Sequence, residues 1–204
     1  MAIKTFSVNE VLTASDTNTF LANAGLVTVI PSSVTNGSII SGTASATANS
    51  GAANVVVNGV FSSTYDSYRI AISNLTMSST SAGTLIYLKM HDGTNPANSN
   101  YNLGWVRIDI AAVTLSAGSL NLANTGIIIG AGTGDKFGTT FDVVNPNIAS
   151  HTIFPQISAI NVSTGYSYIG AAMHQTSTAY TGFQLIPSSG TITGGVITVY
   201  GYRK

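Results

Sequence analysis

Short apolar runs, each bounded by turn-forming residues, dominate the chain from residue 55 onward. The runs are seven or eight residues long and rich in β-branched and aromatic side chains, a composition typical of β-strands. They cover residues 55–61, 68–75, 84–90, 103–110, 152–159, 166–173, 179–186 and 195–202. Clusters of Gly, Asn, Asp, Ser and Pro separate several of them. The pattern predicts an all-β fold, an antiparallel β-sandwich or jelly roll.

Two runs alternate clearly enough to predict which side chains are buried. In the third run, Ile86, Leu88 and Met90 are expected to face the core, with Tyr87 and Lys89 facing out. In the fourth run, Val106, Ile108 and Ile110 are expected to face the core, with Arg107 and Asp109 in solvent.

One segment near the N-terminus carries a helix pattern. Within residues 13–25, Asp16 lies in the first turn, where the helix dipole favours a carboxylate, and Gly25 can close the helix. A helix of about three turns is not stable alone, so we expect it to dock onto a partner. The residues predicted to form this assembly anchor are Phe6, Val8, Val11, Leu12, Asp16, Phe20 and Leu21.

These patterns divide the chain into three parts. Residues 1–30 are predicted to be an attachment arm with a short helix. Residues 31–54 are rich in Ser, Thr, Gly, Asn and Ala, and they form either a linker or weakly patterned strands. Residues 55–204 are predicted to be the β-sandwich domain.

The charge content is unusually low and restricts the partners. Only 7% of residues are charged, against about 25% in ordinary soluble domains, and the formal net charge is zero. A free monomer of this kind tends to self-associate, so either partners cover much of its surface or Ser, Thr and Asn side chains solvate it without charge. Basic residues are scattered, which argues against nucleic acid and against anionic membranes.

No cysteine is present, which excludes disulfides, thiolate-ligated zinc and thiol nucleophiles. The first residues have no apolar core of a secretory leader, and no apolar run approaches the roughly 18 residues of a membrane span. We therefore expect synthesis and assembly in the cytoplasm, with no membrane insertion.

No local motif predicts catalysis or a cofactor. In the glycine-rich segment 130–138, Phe137 follows Lys136 where a phosphate-binding loop needs Ser or Thr, so a hairpin turn is predicted. The three histidines and seven acidic residues are dispersed, without metal-ligand spacing or an identifiable carboxylate pair. The oxygen-rich loop 91–100 lacks the ligand spacing of a calcium loop, which favours a solvated loop. The chain is predicted not to be an enzyme.

Aromatic residues near predicted turns offer a different chemistry. Tyr65, Tyr101 and Trp105 would stack on sugar rings if they were exposed, and would be core anchors if they were buried. Core anchoring is the favoured interpretation, and glycan contact is the alternative.

Three segments resemble virion proteins of tailed bacteriophages. Residues 5–23 resemble an opening common in tail and tail-fibre proteins, an aromatic residue followed by Asn-Glu-Val-Leu-Thr-Ala and a spaced Asp and Asn. Residues 61–75, followed by 85–101, are similar to a strand–turn–strand motif in fibre-like, adhesin-like β-sandwich proteins of marine and cyanobacterial phages. Residues 180–202 are similar to the closing strands of that group.

The resemblance implies a structural protein of the virion, held by its N-terminal arm to other virion proteins and displaying a β-sandwich, as a homo-oligomer and specifically a trimer. A tail fibre or adsorption component that contacts a host-surface glycan is the leading expectation. A capsid decoration protein, either cement or head fibre, is the first alternative, and a stand-alone carbohydrate-binding module is the second. The family supplies no catalytic residue.

Overall fold

The computed structural model describes residues 25–40, 45–49, 51–79, 81, 84–110, 112–132, 136–161 and 166–202. This part of the chain is all-β, and no helix occurs in it. The strands are β1 Leu26–Val29, β2 Ser33–Thr35, β3 Gly37–Ile39, β4 Ser45–Ala48, β5 Val55–Asn58, β6 Ser67–Met77, β7 Thr84–His91, β8 Tyr101–Asp109, β9 Thr114–Ala123, β10 Ile127–Gly132, β11 Phe137–Val144, β12 Thr152–Asn161, β13 Tyr166–His174, β14 Gly182–Pro187 and β15 Ile192–Tyr202. The predicted helix of residues 13–25 falls, apart from Gly25, outside the described residues.

The strands form two antiparallel sheets. The large sheet has the order β3-β4-β15-β6-β11-β12-β13-β8-β9, and β1 also pairs with β15. The small sheet has the order β10-β7-β14-β5-β2. This arrangement confirms the predicted all-β antiparallel fold.

The hydrophobic core contains inward-facing side chains from both sheets. In β7, Ile86, Leu88 and Met90 are fully buried, as the alternation predicted. The large sheet contributes Phe154, and the small sheet contributes Phe183, both with no exposed surface. Alternating burial along β6, β7 and β11 gives each of these strands one core face and one outer face.

Strand β8 presents the opposite face from the one predicted. Val106 and Ile110 are 43% and 57% exposed, so the prediction that these side chains face the core is wrong. The buried face instead carries Tyr101 and Leu103, and half-buried Trp105 continues it. Both faces of this run contain apolar residues, and the larger aromatic set removes more apolar area from water when it is buried.

The glycine-rich segment 130–138 does not close a hairpin. Strand β10 pairs with β7 in the small sheet, whereas β11 pairs with β6 in the large sheet. The segment therefore connects the two sheets, which corrects the predicted hairpin turn.

The described residues within 31–54 include three short strands, β2, β3 and β4. Strand β2 pairs with β5 in the small sheet, and β3 and β4 pair with each other at one end of the large sheet. Within the described residues, no helix is long and apolar enough to cross a membrane.

Candidate functional site

The three aromatic residues proposed for glycan contact do not form a common surface. Tyr101 is fully buried, which identifies it as a core residue. Trp105 points between the sheets, where it borders a small cavity with Ile128 of the small sheet. Tyr65 packs edge-on against Tyr68. The residues of the predicted assembly anchor lie outside the described part of the chain.

Tyr101 belongs to a buried stack that supports one end of the sandwich. Its ring stacks on the imidazole of His174, with ring centroids 4.3 Å apart. Its hydroxyl accepts a hydrogen bond from the Met90 backbone N–H (2.8 Å) and donates one to the Ala97 carbonyl (3.1 Å). These contacts tie the start of β8 to the end of β7 and to the loop between them.

The hydrogen bonds of His174 define its tautomer. Nδ1 lies 3.3 Å from the Asn100 carbonyl oxygen, which can only accept, so Nδ1 carries the proton. Nε2 then accepts from the Tyr180 hydroxyl at 2.6 Å. Burial lowers the pKa of His174, against the opposing effect of the Asn100 carbonyl, and burial raises the pKa of Tyr180. Both side chains are therefore neutral near pH 7.

Above this stack, the loop after β7 and the loop after β13 border a polar cleft of about 230 Å³. Asp92 orders the first loop because its Oδ1 accepts the backbone N–H groups of Thr94 and Asn95, both at 2.7 Å. These hydrogen bonds lower the pKa of the Asp92 carboxyl. Other polar side chains around the cleft include those of Asn98, Asn100, Thr176 and Thr178.

The cleft is suited to hydrogen bonding, because hydroxyl and amide groups make up most of its polar lining. Asp92 is its one carboxylate among the described lining residues, and the imidazole of His174 is already bonded on both nitrogens. The described residues contain no group of three or more His, Cys, Asp or Glu side chains that would hold a metal ion.

A second polar cluster lies on the outer face of the large sheet. Arg69 forms two parallel bonds to Asp142, Nε–Oδ1 at 2.9 Å and Nη2–Oδ2 at 3.1 Å. The Tyr202 hydroxyl donates to Oδ1 of Asp142 at 2.8 Å, and the guanidinium lies 5.5 Å from the centroid of the Tyr202 ring. The hydrogen bonds from Arg69, followed by that from Tyr202, lower the pKa of Asp142. The positive charge of Arg69 and the negative charge of Asp142 compensate each other. The cluster therefore serves to hold β6, β11 and β15 together.

The most unusual surface is the outer face around the β8–β9 hairpin. We define the apolar hairpin face as Val106, Ile108, Ile110, Val113, Leu115 and Ile169. The strand register places four of these residues side by side, since Ile108 pairs with Leu115 and Val106 pairs with Ile169. Ile110 and Val113 lie between β8 and β9. Leu115 is 73% exposed and Ile169 is 47% exposed. Ile108 is half-buried and the other five side chains are exposed. A run of exposed apolar side chains across three strands marks an interaction surface.

The tip of this hairpin is also conformationally strained. Val113 has a φ of 54°, a left-handed conformation that a β-branched residue rarely adopts. Its side chain is 87% exposed, so burial within the chain does not compensate the strain. Strain of this kind persists where the local structure requires it, and it is concentrated at functional positions.

Sequence reasoning missed this surface because it assigned the even-numbered side chains of β8 to the core. The informative signal was Gly104, which shares the face of Val106 and cannot fill a core. Gly118 is a second signal, since its missing side chain leaves room for the Trp105 ring on the inner face. The sequence alone does not show that these glycines decide which face of β8 is buried, because that depends on the pairing of β8 with β9.

Comparisons with known proteins show only distant similarity. No protein-family model matches the sequence, and no curated protein matches it. A crystal structure of HCR/D-Sa-GBL1/C matches with 8% identity and a TM-score of 0.31, covering 89% of this chain and 48% of that chain. This chain thus spans about half the length of that protein.

Two further solved structures match at a similar level. Alginate lyase A1-II', a member of polysaccharide lyase family-7, has 8% identity and a TM-score of 0.28, with 74% of this chain and 71% of that chain covered. The binding domain of botulinum neurotoxin DC, in complex with SialylT, has 10% identity and a TM-score of 0.23, with 87% and 42% covered. Since similarities this distant carry no argument, the proposals below rest on the residues of this chain.

Proposed function

We propose that this protein is a non-enzymatic structural component of a tailed-bacteriophage virion, held in the particle by its N-terminal arm before β1 and displaying the β-sandwich. The observation that carries the assembly role is the apolar hairpin face. Leaving this many large apolar side chains in water is unfavourable, and a partner that covers them relieves the cost. The resemblance of residues 5–23 to the opening of tail proteins supports a phage particle as the setting.

The low charge of the chain agrees with this role. The apolar hairpin face contains no charged side chain, and its neighbours Arg107 and Asp109 lie on the other face of β8. Few charges have to be desolvated when such a surface is covered, which reduces the cost of permanent association.

Incorporation into particles tests the proposal. Leu115→Lys places a charge in the middle of the apolar hairpin face, and we expect less of this variant in purified particles than of wild type when the two are co-expressed. Ser73→Lys is the matched control, because Ser73 is also exposed on the large sheet but lies on β6. Equal incorporation of Leu115→Lys and wild type would contradict an assembly role for this face.

The N-terminal arm is tested separately. A chain that begins at Gly25, directly before β1, should retain the sandwich and lose its place in the particle. Normal incorporation of the shortened chain would exclude residues 1–24 as the anchor.

A tail-fibre or adsorption role also requires contact with the host surface, and the polar cleft favours this role over capsid decoration. Its hydroxyl and amide groups match the hydrogen-bonding pattern of a glycan. On a glycan array, wild-type protein should bind, and Asn95→Ala at the cleft should bind less. Trp105→Phe, which changes a side chain between the sheets, is the control. Loss of binding in the control alone would contradict the cleft as the site.

A further inference from the structure

Among the described residues, strand β9 ends the large sheet with an open edge. It pairs with β8 on one side, and no other described strand pairs with it on the other side. Every second residue of this ten-residue strand therefore presents its backbone N–H and C=O groups outward.

Between Thr114 and Leu120, this edge carries none of the usual protection against strand pairing. Natural proteins block open edges with charged residues, proline, bulges or very short strands. The sequence of β9, Thr-Leu-Ser-Ala-Gly-Ser-Leu-Asn-Leu-Ala, has no charged residue and no proline. Its pairing with β8 is regular from Thr114 to Leu120, and the register shifts only beyond that point. The edge is thus long, regular and uncharged.

We propose that a second copy of this chain pairs with the open edge, so that two β9 strands lie antiparallel about a twofold axis. The inference rests on the proposed assembly role, and it identifies a second copy of the chain as the partner that binds at β9. Each strand supplies the backbone donors and acceptors that the other leaves open, which satisfies both edges in one closed contact.

The regular part of β9 predicts the register. In an antiparallel pair, directly opposite side chains point to the same face of the sheet. A twofold axis between two β9 strands therefore places one residue opposite the same residue of the other copy. Ala117 is the middle of the regular stretch from Thr114 to Leu120, so we place the axis there. Ala117 of one copy then faces Ala117 of the other, and Leu115 faces Ser119 of the other. The large sheets of the two copies then have their outer faces on the same side. The apolar hairpin faces of the two copies therefore become parts of one surface.

A second copy fits this edge better than a membrane does. The formal net charge of the chain is zero, so two copies do not repel each other over long range. The apolar hairpin face has no Lys or Arg to bind anionic headgroups. A lipid surface also leaves the open backbone groups of β9 without partners.

Crosslinking tests the register directly, because the natural chain contains no cysteine. Opposite residues in an antiparallel pair have Cα atoms about 4.5–5.5 Å apart, a distance that a disulfide spans. Full-length Ala117→Cys should form a disulfide-linked dimer under mild oxidation, faster than Ser73→Cys, an exposed position on β6 in the interior of the same sheet. Crosslinking of Ala117→Cys no faster than Ser73→Cys overturns the proposed register and pairing.

Analytical ultracentrifugation of the uncrosslinked full chain at micromolar concentration is the second test. We expect the mass of two protomers, and we expect Ala117→Lys to weaken the dimer by about tenfold or more because two like charges then face each other. Ser73→Lys should leave the mass unchanged. A mass of one protomer, or of the three protomers that the phage resemblance implies, overturns the twofold pair. The proposed virion role is decided separately, by incorporation into particles.

Discussion

The indole of Trp105 lies directly over Gly118 on the neighbouring strand β9. A Cβ atom at Gly118 would lie 2.7 Å from Cη2 of the indole, closer than two carbon atoms can pack. The missing side chain at Gly118 therefore lets Trp105 turn inward between the sheets. Because alternate residues of a strand point to opposite faces, this places Val106 on the outer face. The exposure of the apolar hairpin face thus follows from how one aromatic ring is packed.

Substitution of Gly118 tests this packing. Gly118→Ala should lower the free energy of unfolding by about 1–3 kcal/mol, because the new methyl group overlaps the indole. The chain contains one tryptophan, so its fluorescence follows denaturant unfolding at this position.

Gly104→Ala is the matched control for that experiment. A Cβ atom at Gly104, on the outer face of β8, would meet nothing within 4 Å. We expect it to change the stability by less than about 1 kcal/mol. Equal effects of the two substitutions would contradict the inward placement of Trp105.

The pH dependence of stability tests the buried stack at the end of the sandwich. Burial lowers the pKa of His174 in the folded state, so the unfolded chain binds a proton more readily. The stabilising effect of neutral His174 is present above the ordinary histidine pKa of about 6.5, and it is lost as the pH falls through the folded-state value. His174→Gln should therefore reduce the slope of unfolding free energy against pH below about 6.5. An unchanged slope would mean that the imidazole takes up its proton equally well in the folded chain.

The contribution of Asp142 should appear in a more acidic range. Its pKa is lowered in the folded state by the hydrogen bonds from Arg69 and then Tyr202, so its stabilising effect is present above the ordinary carboxyl pKa and disappears as the pH falls through the lowered value. The side chains of this pair are 39% and 32% exposed, which limits the expected loss in Asp142→Asn to about 0.5–1 kcal/mol at pH 7.

A double-mutant cycle isolates this interaction. Asp142→Asn and Arg69→Gln should each destabilise the chain at pH 7, and the double variant should lose less than the sum of the two, with the coupling disappearing as the pH falls through the lowered pKa of Asp142. Additive effects at pH 7 would show that the ion pair contributes nothing to stability.

The sequence predicted the all-β class and the core face of β7, because strict alternation in that run allows one assignment. It did not predict the face of β8, where apolar residues occupy both sides and the pairing with Gly118 decides the outcome. The polar cleft also escaped prediction. His174 and Asn100 are far apart in the chain and meet only after β8 and β13 have paired, so no local spacing reveals them.

The edge of β9 shows a further limit of sequence reasoning. Small residues such as Ala117 and Gly118 weaken the strand pattern, so residues 114–123 carry no clear sequence signal for a strand. Their position at the end of the large sheet depends on the order of all the other strands. Which strand lies at the edge depends on the order of all the strands in the sheet, so no single segment of the sequence predicts it.

Labelled antibody on purified phage particles tests the central claim most directly. If the chain is a structural component of the virion, antibody raised against the sandwich should label intact particles at one consistent position, and the protein should remain in the particle fraction after gradient purification. Particles without label, together with recovery of the protein only in the soluble fraction of the lysate, would contradict the proposed function.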